Sequence, residues 1–279
     1  MKRFLLLIAF SLPGCVPALL EAAQDTREAP SPTARLEPTE QPSTSTPFPA
    51  GPISLVALGD SHTLGEGEEA GNGYPGRMLQ VISEFRPGSS MLNLGQAGWT
   101  SDALIEGDRG IESQLDRAII ELEHAKSQGR GAIALVWIGT NDLWYLYEYS
   151  EGSDEGDLAD LNHFLHNMTT ILSRLHDTGA VVAVALLDDQ SKRPIAVRGE
   201  TFTGITDEEL TRMSAQVDQY NTIIAVKAAQ YGAILVEFYN TDIFTSPAAL
   251  TPDGDHLNRV GYGLIAEKWL DALARIVLQ

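Results

Sequence analysis

Five stretches of the chain are apolar almost without interruption and stop at small or acidic residues. Residues 53–58 stop at Gly59-Asp60, and residues 91–94, a weaker run broken by Asn93, stop at Gly95. Residues 132–138 stop at Gly139, residues 180–187 stop at Asp188-Asp189, and residues 233–238 form the fifth run. Strands buried on both faces lose the polar alternation of half-exposed strands, so such runs predict a parallel sheet. Between them lie helical periodicities. Ile111, Leu115, Ala118, Ile119 and Leu122 share one face, as do Leu158, Leu161, Leu165, Met168, Leu172 and Leu175. Asp207 reads as the N-cap of a helix over 208–231. Leu264, Trp269, Leu270, Leu273 and Val277 mark a last helix, and residues 75–85 another. Alternation of strand and helix predicts an α/β fold: a three-layer α/β/α sandwich around a parallel sheet of about five strands with right-handed crossovers. Residues 53–279 read as one domain. Ligands in such folds bind outside the carboxyl ends of the strands.

The pattern changes at the N-terminus. Lys2 and Arg3 precede a short apolar stretch over 4–12, the layout of a secretory signal peptide spanning residues 1–23 and too short to cross a bilayer. Leu12-Pro13-Gly14-Cys15 resembles a bacterial lipobox, which marks Cys15 for lipidation; the alternative is a plain signal peptide cut after Ala22 or Ala23. Residues 24–52 are rich in Pro, Ser, Thr, Glu and Ala, and bury too little apolar surface to offset ordering entropy, so they read as a disordered spacer. An exported, lipid-anchored or secreted protein is the expectation.

Composition narrows the chemistry. Of 279 residues, 38 are acidic and 19 basic, a formal net charge of −19. A chain this acidic offers no electrostatic footprint for phosphate backbones, which argues against nucleic acid as a partner. Cys15 is the one cysteine, so an internal disulfide and a CxxC-type zinc or redox site are excluded.

Four polar clusters fall where the strands end or the last helix begins. They are Gly59-Asp60-Ser61-His62, Asn93-Leu94-Gly95-Gln96-Ala97-Gly98, Gly139-Thr140-Asn141-Asp142 and Asp253-Gly254-Asp255-His256. A serine just past the first strand stands where a nucleophile would. The set and its order, Gly-Asp-Ser, a glycine after strand two, Gly-x-Asn-Asp and Asp-x-x-His, resemble the SGNH hydrolases, also called GDSL esterases. The resemblance spans the whole domain and implies a flavodoxin-like sheet and a serine esterase. It implies Ser61 as nucleophile, His256 as general base and Asp253 as its orienting carboxylate. It also implies an oxyanion hole made by the backbone N–H groups of Ser61 and Gly98 and the side-chain amide of Asn141. The chemistry needs these types: a serine hydroxyl is a weak nucleophile without a base, and a developing oxyanion needs fixed donors. No metal or organic cofactor is implied. There is no Gly-x-Ser-x-Gly elbow, no Gly-x-x-x-x-Gly-Lys loop and no His-Glu-x-x-His motif.

Two positions depart from the family: His62 replaces a frequent leucine, and Asp255 stands where an apolar residue is common. Asp255 is expected either to act on the His256 imidazole or to point to solvent. Asp60 and Asp142 are expected to brace loops through backbone N–H groups. Residues 143–157 read as an aromatic and acidic loop, with Trp144 and Tyr145 as candidate walls of a substrate cleft and packing on the domain as the alternative; Trp99, beside Gly98, is a second candidate wall. The basic stretch Lys192, Arg193 and Arg198 either meets an anionic substrate or offsets nearby acid. His163 and His166 have metal-compatible spacing without an evident third ligand, and solvated histidines are the commoner reading. The expected function is a serine esterase acting through an acyl-serine, on O-acetyl groups of glycans. Alternatives are a lysophospholipase or thioesterase for longer acyl chains, and a surface binding module without turnover.

Overall fold

The computed structural model describes residues 47–68, 73–149, 153–199 and 205–278. The predicted signal peptide, Cys15, most of the predicted spacer and the first two residues of the predicted acidic tip (151–157) lie outside the described residues.

The chain runs β1 (Ile53–Gly59), α1 (Ser61–Leu64), α2 (Gly73–Phe85), β2 (Ser90–Asn93), α3 (Ser101–Glu106), α4 (Gln114–Ser127) and β3 (Gly131–Trp137). It continues through α5 (Thr140–Tyr149), α6 (Asp154–Asp177), β4 (Val181–Ala185), α7 (Pro194–Val197), α8 (Asp207–Tyr231), β5 (Ile234–Val236) and α9 (Arg259–Val277). The strands form one five-stranded sheet in the order β2-β1-β3-β4-β5, with every neighbouring pair parallel. Strands β1 and β3 pair along their full lengths, from Ile53 opposite Gly131 to Gly59 opposite Trp137. All seven residues of each are buried, which is why both read as unbroken apolar runs. The edge strands β2 and β5 are shorter and partly exposed.

From β1 the chain steps one way to β2, then returns past β1 to β3 and continues outward. With right-handed crossovers this reversal puts α2 on one face and α4, α6 and α8 on the other. The packing agrees: α2 lies against α9, α4 against α6, and α6 against α8. On the α2–α9 side Tyr74 stacks on Trp269, centroids 5.3 Å apart and ring planes nearly parallel. On the other, Phe164 stacks on Tyr220 at 4.0 Å. The reversal lies between the carboxyl ends of β1 and β3, and the polar clusters gather there.

Local signals set the helix ends. Thr206, not Asp207, is the N-cap of α8. Its hydroxyl accepts from the Glu209 N–H while the Glu209 carboxylate accepts from the Thr206 N–H, a reciprocal capping box. The predicted loop over 143–157 is largely helical, because α5 and α6 occupy most of it.

Candidate active site

Strand β1 delivers Ser61 to the sheet edge. The Gln114 side chain clamps the end of the strand, accepting from the Gly59 N–H at 2.8 Å and donating to its carbonyl at 2.9 Å. Asp60 then caps α1 by accepting from the His62 N–H at 3.0 Å. That leaves Ser61 as the first residue of α1, its backbone N–H pointing away from the helix body. His62 is buried beneath the site and lies between Trp137, Phe244 and the ring of His256, 5.7 Å away. Burial and the Arg193 charge disfavour its charged form, but the Asp60 and Asp255 carboxylates together outweigh them and its pKa is raised.

His256 reaches the site from the loop before α9. Asn258 anchors that loop: its side chain caps α9 through the N–H groups of Val260 and Gly261 and donates to the carbonyls of Ala248 and Leu250. His256 Nε2 lies 3.2 Å from Ser61 Oγ, and Nδ1 lies 2.9 Å from Asp253 Oδ2. Asp253 Oδ1 accepts from the N–H groups of Asp255 and His256, at 2.9 and 3.1 Å, and from the Thr251 hydroxyl. Burial alone would raise the Asp253 pKa; these bonds overcome it and hold the pKa at about 2. An ionised Asp253 fixes the proton on Nδ1, so Nε2 presents its lone pair to the Ser61 hydroxyl.

A second wall comes from the loop after β2 and the start of α5. Gly98 has φ +75°, and a Cβ there would sit 3.2 Å from the Tyr145 hydroxyl, so glycine lets the backbone close on the cavity. Tyr145 donates to the Gly98 carbonyl at 3.0 Å. Asn141 donates one amide hydrogen to the Trp99 carbonyl at 2.9 Å, and its amide carries a second. Asp142 ties the two segments together by accepting from the Ser101 N–H at 2.9 Å and from the Ser101 hydroxyl. Burial pushes the Asp142 carboxyl up to about 7 despite these bonds. Between the walls lies a cavity of about 260 Å³ lined by Ser61, Glu66, Gly98, Asn141, Trp144, Tyr145, Asp255 and His256.

Residues 57–264 match the GDSL-like Lipase/Acylhydrolase family. The chain belongs to that family. The assignment makes it a serine ester hydrolase. None of the curated proteins matches this acylhydrolase. Solved structures do, by fold. LAE5, an alpha/beta hydrolase enzyme from the metagenome of Lake Arreo, Spain, is 18% identical, with 82% of this chain and 98% of that one covered at a TM-score of 0.55. Axe2, an acetylxylan esterase from Geobacillus stearothermophilus, is 17% identical over 83% and 98%, at 0.54. The psychrotrophic esterase EstA from Pseudoalteromonas sp. is 15% identical over 81% and 99%, also at 0.54.

The acylhydrolase brings Ser61, His256, Gly98 and Asn141 to one cavity, with Asp253 bonded to the far ring nitrogen of His256. Asp60 and Asp142 brace backbone as expected. Other expectations need correction. Trp99 does not wall the cleft: its indole is 1% exposed and only its backbone carbonyl contributes, to Asn141. Trp144 and Tyr145 do line it, but from helix α5 rather than a loop. Trp144 also packs with Ala196 and Met213. Asp255 is tied to buried Arg193 at 2.6 Å instead of pointing to solvent, while Arg193 also grips Asp188 at 2.5 and 2.8 Å. The basic stretch meets acid at Arg193 and at Lys192, which pairs with Asp189 at 2.9 Å, while Arg198 donates to the backbone carbonyl of Asp253 at 2.7 Å. His163 faces Asp102 at 2.8 Å. Sequence reasoning missed the Gln114 clamp and Glu66, whose carboxylate lies 3.6 Å from His256 Nε2.

Proposed function

We propose that this acylhydrolase removes O-acetyl groups from glycans through an acetyl-Ser61 intermediate. His256 Nε2 takes the Ser61 proton as Oγ attacks the ester carbonyl carbon. The carbonyl oxygen becomes an oxyanion held by the N–H groups of Ser61 and Gly98 and the free hydrogen of the Asn141 amide. As the tetrahedral species collapses, the imidazolium gives its proton to the departing alcohol oxygen and leaves acetyl on Oγ. Water, deprotonated by the same nitrogen, then releases acetate and restores the hydroxyl. Asp253, ionised throughout, stabilises the imidazolium formed in each half-reaction.

The observation that carries this reading is the contact of Ser61 with His256, and of His256 with Asp253, opening on a cavity of about 260 Å³. Ligand pockets for drug-sized molecules run from about 300 to 1,000 Å³. A short acyl group with part of a sugar ring fits that volume. Acetylxylan esterases among the proteins of similar fold support the same choice. Tyr145, half-buried, lines the cavity with its hydroxyl hydrogen given to the Gly98 carbonyl, so that toward a sugar the hydroxyl can only accept. Export and lipid anchoring at Cys15 belong to the proposal as well, since acetylated glycans lie outside the cell membrane; intact mass of the processed protein tests them.

The test is hydrolysis of p-nitrophenyl acetate, butyrate and decanoate by the purified protein and by Ser61→Ala. The acetate is expected to turn over fastest, with Ser61→Ala inactive. Preference for decanoate would transfer the assignment to a lipase-like substrate. Equal rates for both proteins would remove the acyl-serine mechanism.

A further inference from the structure

Glu66 follows α1 in a turn that leaves it little freedom. The N–H groups of Gly65 and Glu66 both donate to the Ser61 carbonyl at 3.0 Å, so the turn folds back on the nucleophile's own residue. The Tyr262 hydroxyl, from α9, donates to the Glu66 carbonyl at 2.7 Å. Gly67 has φ +90°, and a Cβ there would lie 2.6 Å from the Leu257 carbonyl oxygen and 3.0 Å from His256 Cβ. The turn is thus seated against the histidine loop. Its consequence is the position of the Glu66 carboxylate, 3.6 Å from His256 Nε2, on the cavity wall and with its side chain 45% exposed.

Nε2 is the atom that returns a proton to the departing alcohol in the mechanism proposed above. The alcohol oxygen must therefore pass within hydrogen-bond reach of Nε2, and its neighbouring atoms come close to Glu66. The cavity's other carboxylate, Asp255, is engaged by Arg193. Glu66 is the acid turned toward substrate. A carboxylate there accepts hydrogen bonds from hydroxyl groups and repels anions, and the chain's net charge of −19 has the same sign.

We infer that Glu66 is a specificity-determining residue that selects the alcohol half of the ester. It accepts a hydrogen bond from a hydroxyl beside the scissile ester, as in a partly acetylated sugar, and it rejects alcohols that carry negative charge. The inference rests on the deacetylase reading and extends it from the acyl group to the leaving group.

The experiment compares wild type, Glu66→Gln and Glu66→Ala on four acetates: a methyl xyloside monoacetate, p-nitrophenyl acetate, 4-acetoxybenzoate and the methyl ester of 4-acetoxybenzoate. The ratio of kcat/KM for the sugar acetate to that for p-nitrophenyl acetate should fall about tenfold or more in Glu66→Ala, the loss of a charge-assisted hydrogen bond. The ratio for 4-acetoxybenzoate over its neutral methyl ester should rise several-fold in Glu66→Gln. An equal fall on all four substrates would overturn the inference, because Glu66 would then act through His256 alone. Unchanged ratios would overturn it too, since the side chain would then touch no part of the alcohol. Wild type no more active than Ser61→Ala on all four acetates would instead defeat the deacetylase reading, and this inference with it.

Discussion

Asp253 and Asp142 accept similar bonds on the two sides of one cleft, each from backbone N–H and from a neighbouring hydroxyl. Yet Asp253 is held at about 2, while Asp142 is pushed up to about 7. Burial opposes ionisation at both. At Asp253 the side chain stays 44% exposed, and two N–H groups, a hydroxyl and an imidazole stabilise the anion. At Asp142 the donors come from Ser101 alone, and the charges of Asp160 and Asp102 add to the burial. Glu209 gives a third point: at the protein surface, it accepts the Thr206 bonds, with the Arg212 charge beside it, and its pKa is lowered. The bonds outweigh burial at Asp253 and fall short of it at Asp142. The difference suits the two positions. The histidine's partner must stay charged, whereas a brace between loops works in either protonation state.

The largest effect should come from removing the charge on the histidine side. Asp253→Asn retains shape but favours the wrong imidazole tautomer, so kcat on p-nitrophenyl acetate should fall about 10⁴-fold. A loss under about tenfold would deny Asp253 its part. On the other wall, Asn141→Ala removes one donor to the oxyanion, and kcat should fall about 10²- to 10³-fold with little change in KM. A change confined to KM would make Asn141 a binding group.

Stability against pH sharpens the contrast. The folded pKa of Asp142 lies above its ordinary value of 3.8, so its contribution is fully present below about pH 4 and is lost as pH rises through about 7. Asp253, with a lowered pKa, contributes stability above about pH 4 that is lost as pH falls through about 2. Asp142→Asn should therefore flatten the decline in Tm between pH 4 and pH 8, and Asp253→Asn should flatten the decline below pH 4. Parallel curves for wild type and Asp142→Asn would contradict the raised pKa. The smallest effect belongs to the surface case: Thr206→Ala should cost about 1 kcal/mol of stability. It should also raise the Glu209 pKa toward its ordinary value, read by NMR titration, with esterase activity retained.

The buried centre of the fold was legible because β1 and β3 are covered on both faces and leave no polar interruption. The site was legible because each polar block abuts the end of a strand or the start of the last helix. Helix α5 was not, since Leu143, Trp144, Tyr145, Leu146 and Tyr147 run as five consecutive apolar or aromatic residues and erase the helical period, and aromatic residues favour helix weakly. The direction of Trp99 was equally hidden: adjacency to Gly98 says nothing of which way an indole turns. The Arg193–Asp255 pair joins residues 62 positions apart, and Asp142 meets Ser101 across 41. Contacts set by the return path of the chain have no local signature.

The account's centre is covalent chemistry at Ser61, and a fluorophosphonate probe followed by peptide mapping tests it directly. The account predicts one adduct, on Ser61, absent in Ser61→Ala and formed far more slowly in Asp253→Asn. Labelling of another residue, or the same rate in wild type and Asp253→Asn, would contradict it.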